Sequence, residues 1–269
     1  MNKLSVPVEN LRKDIRMRDE SDPKMSTAWI LVYLITIFAV IIAVITFFYL
    51  VFAAMAEPWI VPEEPSVALP LFVVLIILLV LLAIIGFIVS IILTYKLVNR
   101  RNTHFKRQMF LSEDVVAAVK TIAAKKGVDV EASLSSIERT VREAKAEETE
   151  KGAVLWAILT AVPYIGSLAQ WYVYYFLMKD FYKHERREDG FWEDLTRTLD
   201  KCGVTFSVPR RTETTPNRSF VLYLILTIIT VGLFGIYWLY VLLKDPNEHF
   251  KHHIQTEDQL LSTLESVAI

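Results

Sequence analysis

Only five histidines and a single cysteine are available for chemistry in this chain, so any site must be built from few groups. His249 and His253 stand four residues apart, which puts both imidazoles on one helix face, as in a metal-binding pair. Such a pair needs a carboxylate or a third imidazole beside it, and spacing alone identifies neither. His249, His252 and His253 are therefore read as part of a partly solvated interfacial helix. A sharper arrangement would gather His104, His184 and His249 around one centre, because each follows a tyrosine (Tyr95, Tyr175, Tyr240) by nine residues. These patterns assign no catalytic, cofactor-binding or metal-binding residue, and no cofactor is expected. Gly232 and Gly235 do not form a phosphate loop, since no Lys-Ser/Thr follows and both lie in an apolar run. The lone Cys202 excludes an intrachain disulfide framework and cysteine-based metal sites of the usual count.

The tyrosine–histidine register continues into an acidic pair: Glu113-Asp114, Glu193-Asp194 and Glu257-Asp258, nine, nine and eight residues after the histidine. Helical periodicity follows each pair, through Val115, Val119 and Ile122, then Trp192, Leu195 and Leu199, then Leu260, Leu264 and Val267. Ser112 and Thr256 are predicted N-caps, and Gly127 and Gly203 sit where a glycine would end the first two helices. The sequence thus reads as an internal repeat of an apolar element, a short basic or mixed exit and an amphipathic helix.

Four apolar blocks must position these groups. Hydrophobic residues make up 54% of the chain, above the roughly 45–50% typical of globular proteins, while 22% are charged. The two kinds are segregated. Uncharged blocks cover Ala28–Ala56, Val67–Tyr95, Ala153–Met178 and Ser219–Leu243, each long enough for a bilayer span. None holds an ionisable acid or base, which argues against proton-coupled transport and intramembrane catalysis. Gln170 is the most unusual polar residue, just past a predicted turn. Blocks one and two read as a spanning hairpin with a proline-rich external loop, 57–66, in which Trp59 suits the headgroup level. Blocks three and four are broken at Pro163/Gly166 and Gly232/Gly235. They could cross straight, or re-enter with arms about 16 Å deep.

Charge favours re-entry. Six Lys/Arg precede block one, twelve separate blocks two and three, nine separate blocks three and four, and two follow. Basic residues flank both ends of 179–218, so a straight crossing would place them outside, against the positive-inside rule. Re-entrant hairpins put every Lys and Arg on one side. Cys202 lies in the segment where the two topologies disagree. Segment 131–150 reads as a charged helix projecting into the cytosol.

Residues Thr230-Val231-Gly232-Leu233-Phe234-Gly235-Ile236-Tyr237-Trp238-Leu239-Tyr240 resemble the T-x-G-I-Y-G-I-Y-W segment of a family of small prokaryotic membrane proteins, the domain-of-unknown-function family forty-two thirty-four. Phe234 replaces the usual first tyrosine, and the likeness spans about 210–250. The resemblance implies a membrane location in a prokaryotic cell and supplies no site residues.

The reading is an all-α integral membrane protein. It has a cytoplasmic segment 1–27, a spanning hairpin 28–95, basic then acidic cytoplasmic helices 96–152, and a third apolar element 153–178. An amphipathic tail and linker 179–218, a fourth element 219–243 and a cytoplasmic helix 244–269 complete it. Pro163, Gly166, Gly232 and Gly235 are assigned to membrane turns. Arg100, Arg101, Lys106, Arg107, Lys183, Arg186 and Arg187 are assigned to anionic lipid headgroups at the cytoplasmic face of the cell membrane. Expected partners are the lipid bilayer and a second copy or another membrane protein, with no nucleic acid. The expected function is a non-enzymatic membrane scaffold, membrane-shaping or interaction module, with a channel or transporter for an uncharged solute as the alternative.

Overall fold

The computed structural model describes residues 4–56 and 68–268, and every element among them is a helix. The predicted external loop and Trp59 lie outside the described residues. In chain order the helices are α1 (Ser5–Arg16), α2 (Arg18–Ser21), α3 (Trp29–Ala56), α4 (Ala68–Lys126), α5 (Glu131–Glu147), α6 (Ala153–Leu159), α7 (Gly166–Lys201), α8 (Phe220–Ile229) and α9 (Leu233–Ala268). Helix α3 and the first part of α4 are long and apolar enough to cross a membrane. Their apolar side chains, including Ile35, Phe38, Ile77 and Leu81, face outward, unlike those of a soluble core helix.

Both predicted breaks occur. The third block divides into α6 and the start of α7, and the fourth into α8 and the start of α9. Each pair folds back on itself: Trp156 meets Tyr172 and Phe176, while Tyr223 meets Phe234 and Phe220 meets Trp238. Gly166 closes the first turn by donating its N–H to Val162, and a Cβ there would fall 2.4 Å from the Thr160 carbonyl oxygen. Gly232 closes the second at φ +90°, where side-chain-bearing residues are strained. The tips, Tyr164 and Val231, are almost fully exposed apolar side chains in left-handed backbone.

The tails differ from the sequence reading. Ser112 and Thr256 are not caps, because α4 and α9 run unbroken through them, and their hydroxyls bond back to Met109 and His252 carbonyls. Helix α5 does not project: it lies along α7 and α4 with Ile137 buried. Helices α4 and α7 do end at Gly127 and Gly203, both left-handed. Helix α1, within the segment read as a cytoplasmic terminus without structure of its own, packs Val8, Leu11 and Ile15, with the preceding Leu4, against α4 and α9.

Two apolar layers result. The distal one joins α1, α4, α5, α7 and α9 around Val115, Ile122, Leu195 and Leu260, and it buries Cys202. The proximal one gathers Leu97, Val173, Leu177, Trp238 and Leu242 at the bundle-side ends of the second, third and fourth apolar blocks. Between them sits a small ring cluster of Phe105, Phe181 and Phe250.

Helix α9 passes between the layers through Pro246. A proline inside a helix removes the N–H owed to the carbonyl four residues back, here Leu242. Arg100 supplies the missing donor: its Nη2 lies 2.8 Å from Leu242 O, and Nη1 lies 3.0 Å from Asn247 Oδ1. Arg100→Met should cost about 2 kcal/mol by orphaning that carbonyl. In a Pro246→Ala background, where the helix bond returns, the loss should shrink by half or more. Thermal melts in detergent that give equal losses in both backgrounds would refute the pairing.

Candidate metal centre

The three histidines of the nine-residue register meet in the middle of the bundle. Ring centroids of His104, His184 and His249 form a near-equilateral triangle, 5.2, 5.1 and 5.4 Å apart. Helices α4, α7 and α9 each deliver one of them, about 13 Å below its tyrosine along the helix. One turn further on, α7 adds Glu188 and α9 adds His253. All five residues are buried, and one ligand atom from each lies within 4.8 Å of the others.

The ring nitrogens divide the work. His104 Nδ1 lies 3.0 Å from Asp22 Oδ1, His184 Nδ1 2.9 Å from Glu148 Oε1, and His253 Nδ1 3.0 Å from Glu257 Oε1. His249 Nδ1 sits more loosely, 3.4 Å from Glu185 Oε2. An ionised carboxylate only accepts, so an imidazole facing one donates Nδ1–H, and when neutral it keeps its lone pair on Nε2; His249 Nδ1 also faces Arg211 Nη1 at 3.4 Å, and His253 Nδ1 faces Gln108 Nε2 at 2.7 Å. Those Nε2 atoms face inward. His184, His253 and His249 approach Glu188 at 3.2, 2.9 and 3.5 Å, and His104 Nε2 lies 3.1 Å from His249 Nε2. Two inward lone pairs at that distance repel unless a proton or a metal ion lies between them.

The outer carboxylates are held in turn. Arg107 bridges Asp22 and Glu257, Arg187 pairs with Glu148, and Arg211 lies 2.8 Å from Glu185. Thr215 donates both its N–H and its hydroxyl to Glu185. Asp22 and Glu148 are the residues that end α2 and α5. Thr103 fixes the first end by bonding Ser21 O, and Arg101 and Asn102 fix the second by bonding the carbonyls of Thr149 and Lys151. Glu188 makes the looser contact with Arg211, 3.7 Å, and its main neighbours are imidazoles.

Protonation follows this layout. Burial holds His104 down at about 4 and His249 well below its ordinary value. Burial also opposes charge on His184, but Glu188 and Glu148 raise it to about 10; His253 is raised in the same way by Glu188 and Glu257. Glu188 stays ionised despite its burial because these imidazoles surround it. Without a metal, protons on His184 and His253 must neutralise the centre.

The donor set fits a first-row transition ion. Imidazole with one carboxylate suits zinc, iron, nickel or copper, and carboxylate-held imidazoles are typical of metal ligands. At metal–ligand distances of about 2.1 Å, tetrahedral ligands lie about 3.4 Å apart and octahedral trans ligands about 4.2 Å apart. The observed spread, up to 4.8 Å, exceeds both the tetrahedral edge and the trans diagonal, so the side chains would have to draw inward around an ion.

Several assigned residues take other roles. Arg100, Arg101 and Arg107 are buried and cannot meet headgroups: they bind α9, Asp180 and the Asp22–Glu257 pair. Arg187 is half-buried against Glu147 and Glu148. Lys106, Lys183 and Arg186 are exposed. His252 is buried beside the centre and bonds toward Thr256. Glu188 could have been found from sequence, because it follows His184 by four residues as His253 follows His249. Asp22 and Glu148 carried no such signal.

The family described as Domain of unknown function (DUF4234) matches residues 218–267. That stretch contains His249, His253 and Glu257, while His104, His184 and Glu188 lie outside it. Comparison with curated proteins and with solved structures returns no match.

Proposed function

We propose that this chain is a membrane-anchored metal-binding protein whose juxtamembrane bundle holds one divalent first-row transition ion. The carrying observation is the convergence of four buried imidazoles and Glu188, with an arginine-held carboxylate behind each imidazole. On this reading α3 and α4 cross the cell membrane. The α6–α7 and α8–α9 turns re-enter from the cytoplasmic side, and both termini are cytoplasmic. The tyrosine–histidine register is then an internal repeat that sends three helices from the bilayer to one metal. Membrane shaping becomes secondary, since the exposed tips Tyr164 and Val231 suit anchoring of the bundle. Lys106, Lys183 and Arg186 remain for anionic lipid contact.

The purified protein in detergent should retain a single tightly bound ion after dialysis. Glu188→Ala should abolish stoichiometric binding, and Glu148→Gln should weaken it about 10- to 100-fold by releasing the His184 ring. Elemental analysis that finds no ion, or equal content in Glu188→Ala, would sink the reading.

Cys202 is too buried to report topology, but Ser207 is exposed. A Cys202→Ala/Ser207→Cys variant should react with an impermeant maleimide only after cells are permeabilised. Labelling of intact cells would place 179–218 outside and overturn the re-entrant arrangement.

A second reading draws on a cavity of about 760 Å³ among the apolar blocks, bordered by Thr94, Thr160, Ser167, Gln170 and Gly232. Thr94 Oγ1 lies 3.4 Å from Gln170 Oε1 at its wall. It would suit passage or binding of an uncharged solute. Glycerol-type flux in proteoliposomes should fall in Gln170→Leu, and flux no greater than in empty liposomes would dismiss this reading.

A further inference from the structure

We propose that the metal centre binds a small uncharged diatomic ligand of the dioxygen class, which reaches it through a cavity between α4, α5 and α7. This inference rests on the metal reading above. The cavity, about 40 Å³, touches His184 and Glu188 at its deep end and no other member of the centre. It exceeds the ~10–15 Å³ that one water requires, yet it is far below the ~300 Å³ of ordinary organic-ligand pockets. Size therefore selects ligands of two or three atoms.

The walls select further. Leu111, Val141, Ala144 and Phe191 supply an apolar side, while on the polar side Glu148 and Arg187 neutralise one another, so the wall offers a free ion little uncompensated charge. Half-buried Thr140 and Ala144 stand at the outer wall, whereas His184 and Glu188 are buried, so the cavity leads inward from the surface. The ring cluster of Phe105, Phe181 and Phe250 packs against His104 and His184 elsewhere. Were all five donors to bind one ion in an octahedral shell, a sixth position would remain for a ligand from the cavity. Trp192 borders the cavity, is 3% exposed, and has no hydrogen-bond partner for its Nε1–H. The step is coordination alone: the ligand donates a lone pair to the metal, and no bond breaks.

Nitric oxide is the probe. Full-length protein in detergent, loaded anaerobically with ferrous iron, should form one nitrosyl per iron with a high-spin ferrous-nitrosyl paramagnetic resonance signal. Ala144→Phe, which fills the cavity, should leave iron content unchanged and slow nitric oxide association at least about tenfold, a barrier increase of ~1.4 kcal/mol. If that variant does not fold, Val141→Phe makes the same test. Iron bound without a nitrosyl would overturn the inference and leave the metal reading standing. A nitrosyl that forms at the same rate in the filled variant would also overturn it, by assigning access to another route. Failure to bind iron, nickel, cobalt or zinc would instead remove the metal reading itself.

Discussion

Glu188 sets the terms for the rest of the bundle. It is a carboxylate buried between two apolar layers, surrounded by three imidazoles whose far nitrogens rest on three more carboxylates. Burying an ion costs several kcal/mol unless geometry and hydrogen bonds compensate. Compensation here requires arginines from α4, α7 and the linker before α8, each at a fixed height. A flexible exit from the membrane could not hold those heights. Continuous helix from the apolar blocks into the bundle does so, which accounts for the length of α4 and for the missing caps at Ser112 and Thr256. The same requirement accounts for Pro246: Arg100 is spent on the carbonyl that this proline leaves free, just before α9 reaches His249.

Much of the architecture was legible because it rests on one-dimensional signals. Long uncharged runs locate the apolar helices, and Pro163, Gly166 and Gly232 mark turns because of what these residues do to a backbone. The nine-residue tyrosine–histidine spacing survives into three dimensions because rigid helix fixes distance along its axis. Three near-equal centroid separations follow from that regularity.

The site was only half legible. A run such as Arg100-Arg101-Asn102-Thr103-His104 reads as a headgroup-facing cluster when its partners are unknown. Its acids come from far along the chain: Asp22 ends α2, Asp180 lies on α7 and Glu257 on α9. Local composition carries charge but not pairing, so buried and lipid-facing arginines look alike. The missing carboxylate was sought near His249 and His253, whereas it sits four residues after His184 on α7. The register marked the axis of the site, and the residues four further on, Glu188 and His253 in the centre and Gln108 against His253 and Glu257, marked its surroundings.

A purely structural polar core would be an expensive way to hold these helices together. Well-packed hydrophobic residues of similar volume commonly match or exceed the stability of a buried ionic cluster. The layers above and below are built from such residues, and they already join α4, α7 and α9. The polar layer therefore adds little cohesion for its desolvation cost, and on the metal reading proposed above its value lies in what it can bind. The two closest imidazole nitrogens make the same point from the opposite direction. His104 and His249 are pushed toward their neutral forms while their Nε2 atoms stand 3.1 Å apart, an arrangement that needs either a shared proton or a metal ion between them. Because the three contributing helices rise directly into the apolar blocks, that cation would tie the bundle and the membrane elements into one mechanical unit.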